Sequence, residues 1–473
     1  MTDPLADYYR CAEGFAGFCQ SGPLSEESGF FRFGEDICYG RCLGGTPALT
    51  PADQLYDCAG MVETRDGVAQ LPFDPLQLID NLRLERYTAG YADSSRLALF
   101  NSFVRRAYYL IRPALHVSVR KHLQKLHFRT WNNVSFPRWP VDCTVDRIME
   151  KLLLLVLRAN REDAIPFIWF WPEGMSSAAI MTHDVETKSG RDFCNTLMDI
   201  DESFGLTSSF QVIPEARYPV PPEFLANIQR RGFEVNVHDL NHDGHLFQNK
   251  EEFLRRAVKI NQYVKEYGAD GFRAAIMYRN QEWFNALEAS YDMSVPNAAH
   301  LDPQRGGCCT VMPYFIGKVL ELPVTTTQDY ALFNILGRPS TDLWNKQIEG
   351  IMDKHGLISF IVHPDYVIEQ RPRAIYVDLL QHLSDLRSDK KIWFALPRDV
   401  NYWWRQRSQM QLVRTGQAWT IEGPGKERAC IAYAYRDGDR LTYSIGRAGS
   451  ERFASNGTVL TPGVAATRNF PAR

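Results

Sequence analysis

SSAAIMTHDVE, residues 176–186, decides how the rest of this chain is read. Its first half is small and aliphatic, as in a strand buried inside a sheet. Its second half delivers His183, Asp184 and Glu186 within four positions. Either the strand ends in solvent with a polar tip, or it carries chemistry to a place that other strands also reach.

Downstream segments repeat the same texture. Apolar runs at 208–214, 233–239, 271–277, 292–297, 319–325, 357–364 and 391–397 read as strands, with amphipathic stretches between them. In residues 249–268, Phe253, Ala257, Ile260 and Val264 fall on one face of a helix that Gly268 stops. Strand–helix alternation at this pitch implies parallel strands with crossover helices. Seven or eight such units close most naturally into a barrel. The fold expected is α/β, a distorted (β/α)7-type barrel over 165–408. It is preceded by a mainly helical accessory region, 1–164, and followed by a small β module, 409–473. In that module the segments MQLVRT, AWTIEG, RACIAYAY and RLTYSIG read as antiparallel strands, the last two joined at an Asp-Gly turn.

The bulk numbers bound the function. The chain has 473 residues, 45% apolar and 23% charged, with a net charge of −3. That balance fits a globular protein of two or three domains and argues against a nucleic-acid partner. Its start lacks the basic and apolar regions of a signal peptide, and the aliphatic run 151–157 is far short of the ~20 residues that span a bilayer. A cytoplasmic location is expected, with the ten cysteines as free thiols. One stretch departs from the average: residues 94–141 hold nine Lys or Arg and no Asp or Glu. Such a segment can make peripheral contact with an anionic membrane surface, or can be an ordinary solvated basic face.

In a parallel barrel, chemistry collects at the C-terminal strand ends. There the sequence offers Asp184 and Glu186, then His238 and His242, then Arg273, then His363. His238 and His242 are spaced i, i+4, which one turn of helix would set side by side. Two imidazoles with a carboxylate from another strand suit a borderline divalent ion such as Zn2+ and leave a position open for water. Each residue also has a plainer use: paired surface histidines, an arginine salt bridge at the rim, a histidine that caps a strand before proline.

Taken together these segments resemble the polysaccharide deacetylase family, carbohydrate esterase family four, over about half the chain. THDVE resembles that family's first motif, usually Thr-Phe-Asp-Asp-Gly. HDLNH resembles the metal-binding His-x-x-x-His motif, GFRAAIMYRN the arginine motif, and IVHPDY the motif of the acid histidine. The resemblance implies a metal-dependent hydrolase that removes an acetyl group from the nitrogen of an N-acetylated carbohydrate. It implies Asp184 as base, Arg273 as the residue that steers it, and His363 as acid. His238 and His242 would bind the metal, Zn2+ with Ni, Co or Fe as alternatives. Val185 stands where the family's second aspartate usually binds metal, so Glu186 takes that role here; two residues apart in a strand, Asp184 and Glu186 share a face. The fourth motif is assigned to the loop SVPNAAHLDPQRGG, 294–307, as a lining of the cleft. His183, in place of the usual phenylalanine, and His245 are assigned to structural support. A surface-glycan precursor is the substrate expected; hydrolysis of another C–N bond, or glycan binding without catalysis, are the competing readings.

Overall fold

The alternating apolar runs do fold as strands joined by crossover helices. In the computed structural model, residues 4–12, 17–65, 67–88, 128–416 and 418–447 are described. The barrel strands are β1 Ser177–Val185, β2 Ser209–Val212, β3 Glu234–His238, β4 Gly271–Arg273, β5 Tyr291–Asp292, β6 Val319–Glu321, β7 Leu357–Ile361 and β8 Ile392–Phe394. They alternate with α1 Lys188–Ser203, α2 Pro222–Arg230, α3 Lys250–Tyr267, α4 Asp342–Met352, α5 Gln370–Ser388 and α6 Pro397–Gln409.

The sheet runs in the order β6–β5–β4–β3–β2–β1–β7, parallel throughout. β8 lies parallel to the first residues of β1, and Tyr314–Ile316 adds an antiparallel strand outside β6. The sheet curls until its far strands meet. Just past β6, Thr325 Oγ1 donates to Leu357 O at 2.8 Å and Thr326 Oγ1 to Ser359 O at 2.7 Å, so hydroxyls on one side stitch β6 to β7. That seam is the distortion of the barrel.

All eight strands expected from the sequence are present in the expected order, but several are shorter. β4 ends at Arg273 because Ala275–Met277 forms a tight turn, with Ile276 at φ 60°. β5 is two residues long because the Asp292 carboxylate accepts from Ser294 N and Ser294 Oγ, which diverts the backbone from the ladder. The early stop at β4 puts Arg273 on the rim.

The helices pack as their sequences direct. α3 is capped by the Asn249 side chain on Glu252 N and closed by Gly268 in the left-handed region. It buries Phe253, Ala257, Ile260 and Val264 against the sheet; the larger of these contribute ~1.5–3 kcal/mol each. Trp403 and Trp404 of α6 are likewise buried, with Trp403 Nε1 donating to Phe170 O.

Before the barrel, helices Pro4–Tyr9, Pro75–Arg83 and Thr144–Asn160 are joined by a hairpin, 29–33 with 36–40, and a small sheet, which composition had not signalled. Asp36 in that hairpin accepts from Arg147 and Lys151 of the long helix. All four expected C-terminal strands form, as Gln411–Thr415, Ala418–Glu422, Cys430–Asp437 and Arg440–Arg447. Cys430–Asp437 also pairs with Ala164–Ile168, so one apolar core runs from the N-terminal region through residues 165–171 to these strands. The basic stretch 94–141 lies outside the described residues up to 127. No described helix is long and apolar enough to cross a membrane.

Candidate active site

Strand polarity brings six side chains to one rim. β1 alternates faces, so Thr182 and Asp184 point into the barrel while His183 points outward into the helix layer. Glu186 follows directly after the strand. β3 ends at His238, β4 at Arg273, and two residues past β7 comes His363. Asp184, His238, His242, Arg273 and His363 are each at most 5% exposed.

His238 and His242 do not share a helical turn. His238 ends β3 and His242 lies in the following loop, where Asp239 and His242 both adopt φ 56°. These left-handed residues fold the chain back, and the two rings stand 5.0 Å apart, nearly perpendicular. Non-glycine residues adopt this conformation at a cost of ~1–3 kcal/mol, a kind of strain that clusters at functional sites.

One ligand atom from each of Glu186, His238 and His242 lies within 4.8 Å of the others. His238 Nδ1 donates to Arg273 O at 3.1 Å, which fixes the tautomer and leaves Nε2 as an acceptor without a partner. His242 Nε2 is 2.8 Å from Glu186 Oε1, yet neither nitrogen of that ring makes an aligned hydrogen bond. The groups converge on a shared point. Two imidazoles and a carboxylate in this arrangement fit a divalent ion.

On one side stands Asp184. Its Oδ1 accepts from Arg273 Nη1 at 3.2 Å, and its Oδ2 lies 3.9 Å from His238 Nε2. Burial acts to raise the Asp184 pKa, but Arg273 and then His238 outweigh it and hold the carboxyl below its ordinary range. Burial pushes His238 down to about 4, so the imidazole is neutral at pH 7. Glu186 is held well below its ordinary value because His242 and His363 outweigh burial.

Opposite Asp184, His363 Nε2 is 3.6 Å from Glu186 Oε1. Its Nδ1 donates to Asp329 Oδ1 at 2.7 Å, and its backbone N–H to Asp329 Oδ2 at 2.8 Å. Burial disfavours the imidazolium, but Asp329 and Glu186 outweigh it and raise the His363 pKa well above its usual value. The sequence reading names no partner for His363. Asp329 comes from the connection TTTQDY after β6, a segment at the same rim whose one acidic residue was the available signal. Tyr366 stacks edge-on to His363 at 5.1 Å, with Tyr330 beyond it. His245 is exposed and takes no part in the cluster.

The fold and rim define a distorted parallel β/α barrel with a histidine–carboxylate centre at its C-terminal face. No family model matches the sequence, and no curated protein matches it. Several solved structures are similar to it. One is a protein from Mycobacterium smegmatis assigned as a polysaccharide deacetylase, 17% identical, covering 50% of this chain and 93% of that one at a TM-score of 0.42. Another is the peptidoglycan deacetylase PdaC from Bacillus subtilis, 12% identical, covering 48% and 90% at 0.31. A third is the Puue allantoinase, 11% identical, covering 50% and 92% at 0.36.

Proposed function

We propose that this chain is a metal-dependent hydrolase that removes an acetyl group from the nitrogen of a carbohydrate. The observation that carries the reading is the convergence of Glu186, His238 and His242 on one point, flanked by Asp184 with Arg273 on one side and His363 with Asp329 on the other. A divalent ion held by these three residues, Zn2+ first and Ni, Co or Fe as alternatives, would supply Lewis acidity and would lower the pKa of a water toward ~7.

The chain's own residues do the proton work. Asp184, kept ionised by the guanidinium of Arg273, accepts the proton of the attacking water at Oδ2. Arg273 fixes the carboxylate so that its free oxygen faces the centre. His363, whose pKa Asp329 and Glu186 raise well above its usual value against the effect of burial, gives the Nε2 proton to the departing nitrogen. An amine leaves poorly unless protonated, so a site with a separate acid and base suits an amide. Asp329 holds His363 by one hydrogen bond to the ring and one to its backbone N–H, and favours the charged acid.

The test is metal content by elemental analysis, with acetate release from N-acetylated sugars measured alongside. About one equivalent of metal is expected in the wild type and none in His242→Ala. Asp184→Asn should keep the metal and lose turnover. Absence of metal from the wild type, even after addition of Zn2+, would overturn the reading.

A further inference from the structure

We propose that His183 is a positioning residue of this site: it ties the strand that carries Asp184 to the segment that carries His363. The inference rests on the functional reading above for its role in turnover, but not for the tie itself. His183 is fully buried on the opposite face of β1 from Asp184 and touches nothing in the cleft.

The need for a tie follows from the register. β1 pairs with β7 along one edge from Ala178 to Thr182, and with β2 along the other from Thr182 to Val185. At the rim, then, β1 runs on past the end of its ladder with β7. Val362 N still donates to Thr182 O at 3.0 Å, but the Val362 carbonyl lies beyond the last ladder pair. His183 Nδ1 reaches that carbonyl at 2.9 Å. A carbonyl can only accept, so Nδ1 carries the proton. One side-chain hydrogen bond therefore replaces the missing rung where the two strands part, next to Asp184 in one strand and to His363 in the other.

The ring is itself held. Its Nε2 lies 3.3 Å from Asp201 Oδ2 in α1 and 3.4 Å from the Tyr376 hydroxyl in α5. Tyr376 donates to Asp201 Oδ1 at 2.6 Å, and Ser208 to Asp201 Oδ2 at 2.7 Å. Phe210 packs against the imidazole at 5.0 Å between ring centres. Elements on both sides of the site, α1 with β1 and α5 with β7, thus meet in one buried polar cluster. Buried polar groups cost free energy unless they are paired, and here the Tyr376 and Ser208 hydroxyls satisfy the two oxygens of Asp201 while Nδ1 satisfies Val362 O. A packed phenylalanine would fill the same space without joining the strands.

Two variants and two readouts test the tie. His183→Phe fills the volume and removes the bond to Val362. His183→Asn places an amide N–H near the position of Nδ1 and keeps that bond. Backbone amide exchange over residues 361–363 reads the tie directly, and acetate release from N-acetylglucosamine oligomers reads its effect on turnover. With His183→Phe, protection at 361–363 should fall while that of β3 and β4 stays unchanged. kcat should drop by about tenfold or more with KM within about twofold, since sub-ångström misplacement of an acid and base acts on turnover. His183→Asn should restore protection and bring kcat to within about threefold of wild type. If His183→Phe does not fold, the asparagine variant alone decides: loss of both signals there overturns the proposal. Unchanged protection and kcat in His183→Phe would also overturn it, as would a uniform loss of protection across the barrel. If the wild type releases no acetate, the hydrolase reading fails while the exchange measurement still decides the tie.

Discussion

Replacing Asp329 by asparagine isolates the charge that holds the acid. The carboxylate is fully buried and accepts from the ring Nδ1–H and the backbone N–H of His363, at 2.7 and 2.8 Å. Asparagine keeps the shape and one acceptor oxygen but removes the negative charge. A buried opposite charge at this distance shifts a pKa by ~1–3 units, with each unit worth about 1.4 kcal/mol. The His363 pKa is raised in the native site, so removal of Asp329 lowers it. The imidazolium is then lost at lower pH, and the alkaline limb of kcat/KM against pH should move down by ~1–3 units. The acid limb, set by Asp184, should stay in place. One of the two His363 N–H groups also loses its acceptor, a further cost of ~1 kcal/mol in stability that a thermal melt would read. Acetate release measured from pH 5 to 10 in wild type and Asp329→Asn decides the matter. An alkaline limb that stays where it was would refute the assignment of His363 as the acid held charged by Asp329.

Two further outcomes follow from groups outside the histidine–carboxylate cluster. Glu234 lies at the floor of the barrel, where burial raises it to about 7 even though Tyr291, Arg398 N and Asn236 hydrogen-bond to it. A carboxyl protonated in the fold and ionised when unfolded opposes folding as pH rises from about 4.5 to about 7; a shift of this size amounts to roughly 3 kcal/mol. Glu234→Gln should flatten that part of the urea stability–pH curve, and an unchanged slope would rule the group out. At Gly190 an added Cβ would stand 2.5 Å from an Asp365 carboxylate oxygen, beside the bond from Thr187 to the same carboxylate. Gly190→Ala should lower stability by ~1–3 kcal/mol, as overpacking does. A melting temperature within a degree of wild type would show that the Pro364–Tyr366 turn moves aside without cost.

The fold was legible because its signal is periodic and long. Apolar runs such as 176–184 and 357–364 cannot be mistaken for loops, and the face of α3 repeats over three turns. The site was legible because strand ends in a parallel barrel share a rim, so residues far apart in sequence become neighbours once the strands are assigned. Local geometry was not legible. The helical turn expected between His238 and His242 is a loop with two left-handed residues, since no sequence rule makes Asp239 and His242 adopt that conformation. Asp329 was missed for a related reason. Its role depends on the position of the β6–β7 seam, which Thr325 and Thr326 create through side chains rather than through a readable ladder.

The charge balance of the rim explains why these particular residues occur together. Asp184, Glu186 and Asp329 bring three carboxylates into a volume largely closed to solvent, and isolated buried carboxylates are costly. Arg273 answers Asp184, and His363 lies between Asp329 and Glu186. His238 is kept neutral by burial, because its Nδ1 proton is committed to a carbonyl and its Nε2 must stay an acceptor. The remaining negative charge falls on Glu186 beside His242, whose pKa is raised by that carboxylate against the effect of burial. A proton favoured on His242 by that carboxylate would compete with a divalent ion for the same ring. Affinity for such an ion should therefore rise with pH until His242 is neutral. A metal affinity independent of pH in that range would mean that the balance is struck elsewhere.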